Sequence, residues 1–521
     1  MSLKKTVAIL AAAGALAAVA VPAMAFENEA HGSFNLKYYL SNYENGGGGT
    51  IVPGLPNGNT TQNLKMNNYF EQRARLFYTA KASDDLKLVT AFEIDSVWGD
   101  KAQGGITSTN SDATAPGTYA AFRNSGGAME ADAVNLETKW VYLDFKIPST
   151  PTRVTAGIQP FKDQIKGIFL DADIAGVLTS TKVGAATVNV GYMRAYDQSF
   201  FSTGAPVLQA NVRGNNNLDI GAVEAKFALN KDTNLGAAYY IYGDGRPFYT
   251  AAAGATNTTL PASFVQKDNA TIIHTFALTG DAKVGPLTLS GFGAYQFGVY
   301  KGITAAGDSA YLNAIAYNLA AKAAVGPGTL KMAGLFTSGN DNSASNLKNA
   351  HMTGWVGTSQ SPNSTWASTT GTCSYNEAGM MLLNRNALNN NTTTDNAIIY
   401  NTSNGTTPIN AQGMYLAAVG YDATITPKVY ANANLGLAWV AHTNASKPVI
   451  AGTSQKNASN FMGTEINLET GYKMYDNLTA RVQAAYVLLG GYYDNTAKNG
   501  AGTGTDPQNP YTARVILSYA F

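Results

Sequence analysis

Charged residues are scarce in this chain of 521 residues. Lysine, arginine, aspartate and glutamate together make up 13% of the sequence, against roughly 25% in ordinary soluble domains. The formal net charge is only +1, so the composition gives no electrostatic reason to expect a nucleic-acid partner. Cys373 is the single cysteine, which excludes an intrachain disulfide and a cysteine-based metal site. The four histidines lack ligand spacing, so we expect no metal and no cofactor.

Long apolar runs are also missing beyond the first 25 residues. No stretch there approaches the roughly eighteen consecutive apolar residues of a transmembrane helix. The sequence has no Walker motif, no Gly-x-Ser-x-Gly and no His-Glu-x-x-His, so we expect no enzyme. A membrane protein that lacks apolar helices must satisfy its backbone hydrogen bonds in a closed β-barrel.

The N-terminus has the pattern of an export signal. Lys4 and Lys5 precede an apolar run at 7–21, and Ala23 and Ala25 form a small-x-small cleavage site. This pattern predicts a cleaved signal peptide at residues 1–25. Residues 26–521 show no composition break, and we expect them to form a single domain.

The last eleven residues alternate between two faces. Arg514 and Ser518 lie on the polar face, and the other face is apolar, with the residues Tyr511, Ala513, Val515, Leu517, Tyr519 and Phe521. This segment resembles the closing strand of bacterial outer-membrane β-barrels. The resemblance implies that Tyr519 and Phe521 belong to the signal that the barrel-assembly machinery reads.

Eight short turns divide the chain into alternating segments, and longer Gly-, Asn- and Thr-rich segments separate them. The turns are predicted near 83–86, 148–152, 183–186, 230–234, 284–287, 325–329, 426–428 and 475–478. With two terminal strands, they predict an all-β, transmembrane, antiparallel up-and-down barrel of about eighteen strands, with sixteen as the alternative. The short turns are expected to be periplasmic. The long loops, above all 43–65, 100–133 and 338–412, are expected to be extracellular.

The face on which charged residues fall predicts the direction of the lumen. Glu71, Arg73 and Arg75 alternate with Phe70 and Leu76. An arginine that faces hydrocarbon near the bilayer midplane costs about 2–4 kcal/mol, so the charged face must point into water. The same argument sends Lys37, Glu93 and Arg153 inward. A barrel of sixteen to eighteen strands is too wide for side chains to fill, so we expect an aqueous channel.

The segment 153–163, which reads Arg-Val-Thr-Ala-Gly-Ile-Gln-Pro-Phe-Lys-Asp, resembles the strand that enters the third extracellular loop of trimeric general porins. Ile158 stands where that family often has arginine. The resemblance implies that a loop at 161–175 folds into the barrel and narrows it. We therefore expect Asp163, Asp171 and Asp173 to face a basic wall formed by Lys37, Arg73, Arg75 and Arg153.

These features predict an outer-membrane porin for passive diffusion of small hydrophilic solutes and ions. A substrate-specific channel, for example for a sugar, is the main alternative, and Tyr38, Tyr39 and Phe77 would suit an aromatic path for it. A surface or adhesive protein that acts through its long loops is a third possibility. By resemblance we expect a homotrimer, with outer-membrane lipid and lipopolysaccharide, the assembly machinery and the solutes as partners, and no nucleic acid.

Overall fold

The computed structural model describes most of the chain in segments. The described residues are 27–44, 66–99, 106–107, 118–119, 136–197, 217–245, 248–251, 264–267, 271–301, 309–340, 351–357, 375, 377, 379–383, 412–442, 449–455, 457–498 and 503–521. The predicted signal peptide and Cys373 lie outside these residues.

Eighteen long strands, labelled β1 to β18 in chain order, make up the fold. Their bounds are Glu27–Ser41 (β1), Asn67–Ser83 (β2), Leu86–Val97 (β3), Glu137–Lys146 (β4), Thr152–Lys162 (β5), Asp171–Val183 (β6), Ala186–Asp197 (β7), Asn217–Asn230 (β8), Thr233–Asp244 (β9), Thr271–Val284 (β10), Leu287–Lys301 (β11), Ser309–Val325 (β12), Gly328–Thr337 (β13), Met414–Thr424 (β14), Val429–Val440 (β15), Phe461–Tyr475 (β16), Leu478–Leu489 (β17) and Tyr511–Ala520 (β18).

Each strand is antiparallel to the next along the chain, and β18 pairs with β1, so the sheet closes on itself. The strands have 10 to 17 residues, enough for the roughly 9–11 residues that a tilted strand needs to cross a bilayer. The predicted eighteen-stranded up-and-down barrel is confirmed, and sixteen strands is wrong.

The eight short connections occur where the sequence predicts them, at one end of the barrel. Gly184, Gly285 and Gly326 begin three of them with φ angles of 61°, 61° and 58°. A two-residue hairpin turn needs positive φ at its first central residue, which glycine adopts without steric cost. The nine longer connections lie at the opposite end.

A few short pairings accompany the barrel. Ile106–Thr107 pairs with Thr118–Tyr119, Phe248–Ala251 with Phe264–Lys267, and Ala497–Lys498 with Gly504–Thr505. His351–Met352 runs parallel to β12 beside Tyr311 and Leu312. This pairing extends the wall beside β12, with His351 stacked on the outward-facing Tyr311 and Met352 buried beside Leu312 on the inner face.

The exterior of the barrel is an apolar band. Large apolar side chains of successive strands are exposed there, including Leu278 at 70% and Leu319 at 68%. Pairs of aromatic rings in contact add to it, for example the tilted pair Tyr239 and Phe276 and the stacked pair Tyr317 and Phe336. A closed barrel forms all its backbone hydrogen bonds between its own strands, and apolar side chains cover its outer surface. Both properties are required of a protein that crosses a lipid bilayer. The described part of the chain has no helix that is long and apolar enough to cross a membrane.

Candidate functional site: the lumen and its inward loops

The charged residues of β1 to β3 form one patch on the inner wall. Strand register places Lys37 opposite Glu71, Arg73 opposite Asp95, and Arg75 opposite Glu93. The Arg73 guanidinium bonds both carboxylate oxygens of Asp95, at 2.5 and 2.6 Å, and Arg75 bonds Glu93. All these side chains are buried or largely buried, whereas their neighbours Phe70 and Leu76 are exposed on the outside. The charged face of β2 is therefore the buried face of the barrel wall, and the apolar face is the exposed one.

A second group of charges follows on β3 to β5, nearer the short turns. Arg153 Nε donates to Asp144 at 2.5 Å, and Lys87 Nζ lies 3.4 Å from the same carboxylate. Arg153 also lies beside a cavity of about 380 Å³ whose lining includes Phe161, Ser180 and Asn189. Arg153 and Lys87 thus share one acid of the wall, Asp144.

Asp163 is the first residue of the loop that joins β5 and β6, which we call L3 (residues 163–170). Its carboxylate accepts backbone N–H bonds from Gly167 at 2.7 Å, Phe169 at 2.8 Å and Leu170 at 2.7 Å. The side chain organises the turn of its own loop. Burial raises the pKa of the Asp163 carboxyl to about 6, although the three N–H donors oppose the shift.

Asp171 and Asp173 are strand residues, not loop residues as the sequence suggested. Both belong to β6, because their backbones pair with Lys162 and Pro160 of β5. Asp171 accepts from Lys162 Nζ at 2.8 Å. Asp173 accepts from Lys139 Nζ at 2.5 Å and from Trp140 Nε1 at 2.6 Å. The predicted loop at 161–175 is therefore shorter, since alternating Ala172 and Ile174 extend the ladder.

L3 crosses the lumen and meets the long β13–β14 connection, which we call L7 (residues 338–413). Trp355 Nε1 of L7 donates to the carbonyl of Ile168 at 3.1 Å. Lys166, at the tip of L3, forms an ion pair with Glu377 of L7 and donates to Ser290 Oγ of β11 at 3.0 Å. Lys166 has a φ angle of 68°, an unusual conformation for a residue other than glycine. The two loops therefore hold each other inside the barrel.

Polar side chains of the wall fasten L7. Glu465 of β16 is fully buried and accepts from the backbone N–H groups of Met381, Leu382 and Leu383 at 2.7, 3.0 and 2.6 Å. Asn467 Nδ2 donates to Glu465 and to the carbonyl of Gly379.

On the β11 side, Gln296 exchanges two hydrogen bonds with the backbone of Val356. Gly436 of β15 leaves space for the loop, because a Cβ there would lie 2.3 Å from the sulfur of Met380.

The inner wall beneath the loops is apolar, which alternation alone did not reveal. On β12 the inward residues are Ala310, Leu312, Ala314, Ala316, Asn318 and Ala320, and they alternate with exposed Tyr311, Ile315, Tyr317 and Leu319. Both faces read as apolar in the sequence. The small inward side chains leave room for the loops. One buried apolar cluster contains Trp355, Met380 and Leu382 of L7 together with the inward residues Ala310, Leu312, Ala314 and Ala316.

The two ends of the chain meet at the β1–β18 seam. Arg514 is fully buried and forms a two-pronged ion pair with Glu44, with nitrogen–oxygen distances of 2.5 and 3.0 Å. Phe521 exchanges two backbone hydrogen bonds with Gly32, and its ring lies where a Cβ of Gly32 would be. Tyr519 stacks on the same ring from the outside of the barrel. Tyr519 and Phe521 therefore take part in the β1–β18 contact that closes the barrel.

Among the described residues, no group of three or more His, Cys, Asp or Glu side chains could hold a metal ion. The carboxylates described above are used in ion pairs across strands and in hydrogen bonds to loop backbone.

A closed barrel of eighteen antiparallel strands, apolar outside and charged along part of its inside, has the architecture of an outer-membrane porin. No family model matches the chain, and no curated protein matches it. Solved structures do match. OccAB4 of Acinetobacter baumannii is 12% identical with a TM-score of 0.48, and the match covers 96% of this chain and 100% of that one.

Two further matches have a TM-score of 0.45. The outer membrane protein OpdK of Pseudomonas aeruginosa is 11% identical, with 95% of this chain and 99% of that chain covered. A BenF-like porin of Pseudomonas fluorescens Pf-5 is 13% identical, with 95% and 98% covered.

Proposed function

We propose that this protein is an outer-membrane channel for passive diffusion of small hydrophilic solutes and ions. The observation that carries the proposal is the composition of the lumen. The charged wall on β1 to β5 lies outside the apolar cluster in which L3 and L7 pack, and its more exposed cations are Arg75 and Arg153, with side chains 24% and 38% exposed. A solute that moves along the charged wall exchanges its hydration for contact with paired charges, while the loops restrict the cross-section.

In this proposal Arg75 and Arg153 border the path, and Lys37, Arg73, Glu71 and Glu93 contribute charge from buried positions within the same wall. Asp163 fixes the shape of L3, and Asp171 and Asp173 stabilise the two strands at its base. Because these four cations are each paired with an acid of the wall, the field beside them alternates in sign over short distances and is not a single transverse dipole.

Planar-bilayer recording tests the proposal. The purified protein should show ohmic single-channel conductance, and replacing Arg73 and Arg75 together with glutamine should shift ion preference towards cations, because Glu93 and Asp95 lose their partners. Lys231→Gln is a matched control, since Lys231 lies on a short turn with its side chain 90% exposed. Absence of any conductance would contradict the channel, and unchanged ion preference would contradict the assignment of the wall.

A general pore and a substrate-specific channel differ in their response to solute size. Liposome swelling with a series of sugars should slow steadily as the sugars grow, and saturation by one sugar would favour a specific channel. Tyr39, one residue of the aromatic path considered for that alternative, is fully buried and stacks on Tyr69. Deleting part of L7 tests the adhesive alternative. That alternative predicts that the shortened protein loses its adhesion to surfaces or partner molecules but keeps its conductance.

Assembly belongs to the same proposal. We infer that residues 1–25 are removed during export and that Tyr519 and Phe521 are read by the assembly machinery. We also infer that three copies associate in the outer membrane among lipid and lipopolysaccharide. Conductance steps in multiples of three, with a heat-modifiable trimer on gels, would support the trimer. Steps of a single size and a monomeric band would contradict it.

A further inference from the structure

Lysines are concentrated on the inner wall near the short-turn end of the barrel. By alternation, nine lysines face the lumen within four residues of a strand end at the short turns: Lys81, Lys87, Lys146, Lys182, Lys226, Lys283, Lys322, Lys331 and Lys473. They come from nine strands spread around the circumference. We call this set the lysine ring.

Four members of the ring have acidic partners. Lys81 pairs with Glu27 and Asp84, and the remaining pairs are Lys87 with Asp144, Lys226 with Asp281 and Lys331 with Asp422. These four charges are locally neutralised.

The other five members differ. Lys146, Lys182, Lys283, Lys322 and Lys473 are all exposed, and none has an ion-pair partner among the residues that the structure describes. Five ammonium groups on β4, β6, β10, β12 and β16 therefore point into the same opening with their charge uncompensated.

The register of the strands places some lysines of the ring directly opposite each other, which adds to the repulsion between their charges. Lys81 lies directly opposite Lys87, and Lys322 lies directly opposite Lys331. Like charges directly opposite each other on one face of a sheet are destabilising. Lys81 and Lys87 are screened by their acids, whereas Lys322 has none among the described residues and faces Lys331 directly. Lys322 and the other four uncompensated lysines form a site whose repulsion an anion would relieve.

We propose that the lysine ring binds multivalent anions, of the phosphate or polyphosphate class, at the short-turn mouth of the channel. The proposal rests on the proposed channel function and on the assignment of the short turns to the periplasmic side. Anions collect there before they enter the narrower region beside L3 and L7. The ring concentrates them by charge without a fixed geometry, because lysine is a flexible point charge with a strongly hydrated ammonium.

The experiment compares the two sides of a planar bilayer. Inorganic triphosphate added on the short-turn side should reduce single-channel current at a lower concentration than on the loop side. In a variant with all five uncompensated lysines replaced by glutamine, block from the short-turn side should weaken by about tenfold. It should also weaken in the wild type at 1 M salt, where the Debye length is only about 3 Å.

The matched control replaces Lys231 and Lys428, which lie on short turns at the same end but outside the strands. Block in that variant should equal block in the wild type. Unchanged block in the five-lysine variant, or equal block from both sides of the wild type, would overturn the proposal.

A direct binding measurement separates this proposal from the channel function. Equilibrium dialysis of labelled triphosphate against the detergent-solubilised full chain should show binding that the five-lysine variant loses, whether or not the protein conducts. If the protein conducts ions but does not bind triphosphate, the proposed anion binding is wrong and the proposed channel function stands. If the protein binds triphosphate but does not conduct ions, the proposed channel function is wrong and the proposed anion binding stands.

Discussion

Single buried carboxylates have structural roles in this barrel. Asp163 shapes L3 from within, and Glu465 holds L7 from the wall, each through three backbone N–H groups. A carboxylate can accept several such bonds, and its charge makes each of them stronger than a neutral hydrogen bond. The sequence identified Asp163 as a residue of the narrowing loop, but its partners are set by how the loop folds. Glu465 had no distinguishing pattern.

Protonation of Asp163 should make the docking of L3 depend on pH. Its pKa is raised from the usual 3.8 to about 6, so the docked loop retains a proton that the undocked loop releases. The stabilisation is fully present below about pH 4 and is lost as pH rises to about 6, a change of about 3 kcal/mol. Hydrogen exchange of the Gly167, Phe169 and Leu170 amides, corrected for intrinsic rates, should show protection falling across this window.

Asp163→Asn removes the titration and keeps a side chain of the same shape. Its protection factors should show no step between pH 4 and pH 6. A flat profile in the wild type, or protection that rises with pH, would refute the pKa assignment.

Loop L7 is held by contacts along its described length, and Glu465 contributes three of them. Replacing Glu465 with alanine leaves three buried backbone N–H groups without acceptors, each costing about 1–3 kcal/mol. We expect residues 379–383 to leave the wall, L3 to lose the Lys166–Glu377 pair, and single-channel conductance to rise with more frequent fluctuations.

The matched control for this prediction is Glu469→Ala on the same strand. Glu469 carries the same charge into the lumen but bonds Tyr430 and Gln483 of the wall, not L7. Its removal should leave the frequency of fluctuations unchanged. Equal fluctuations in both variants would mean that lost charge, not a released loop, causes the change.

Strand faces were predictable where the two faces differ in polarity. On β2 and β3 the charged positions alternate with exposed apolar ones. Because an arginine that faces lipid hydrocarbon is costly, the charged face had to point into the lumen. On β12 polarity does not distinguish the faces, because the outward Tyr311, Ile315 and Tyr317 and the inward alanines are all apolar. The resemblance to trimeric porins placed Asp171 and Asp173 in a loop, but both lie in β6, because their backbones find partners on β5.

Closure makes the whole barrel one cooperative unit, and the seam should be sensitive to mutation. Replacing Arg514 with methionine leaves the Glu44 carboxylate buried without its cation, at a cost of about 3–5 kcal/mol. The double replacement Arg514→Met with Glu44→Gln should cost clearly less, because no unpaired charge remains. Urea unfolding in lipid or detergent, followed by the gel shift of the folded barrel, measures both.

Lys331→Met provides the comparison for the seam, since it breaks a pair whose acid, Asp422, has a side chain that is 41% exposed. Such a pair contributes about 0–1 kcal/mol. If Arg514→Met and Lys331→Met lower the free energy of unfolding by similar amounts, the ion pair at the seam contributes no more to stability than an exposed pair.

The sequence by itself determined the class of this protein, its strand number and most of its wall, because alternation and turn chemistry are local properties. The periodicity of two and the cost of charge in hydrocarbon act residue by residue along each strand. Only the tertiary structure decided what occupies the lumen. The contacts of Trp355 with Ile168, of Lys166 with Glu377 and of Glu465 with L7 join residues far apart in the chain. No local pattern encodes such partners, because they are set by where barrel closure places each strand.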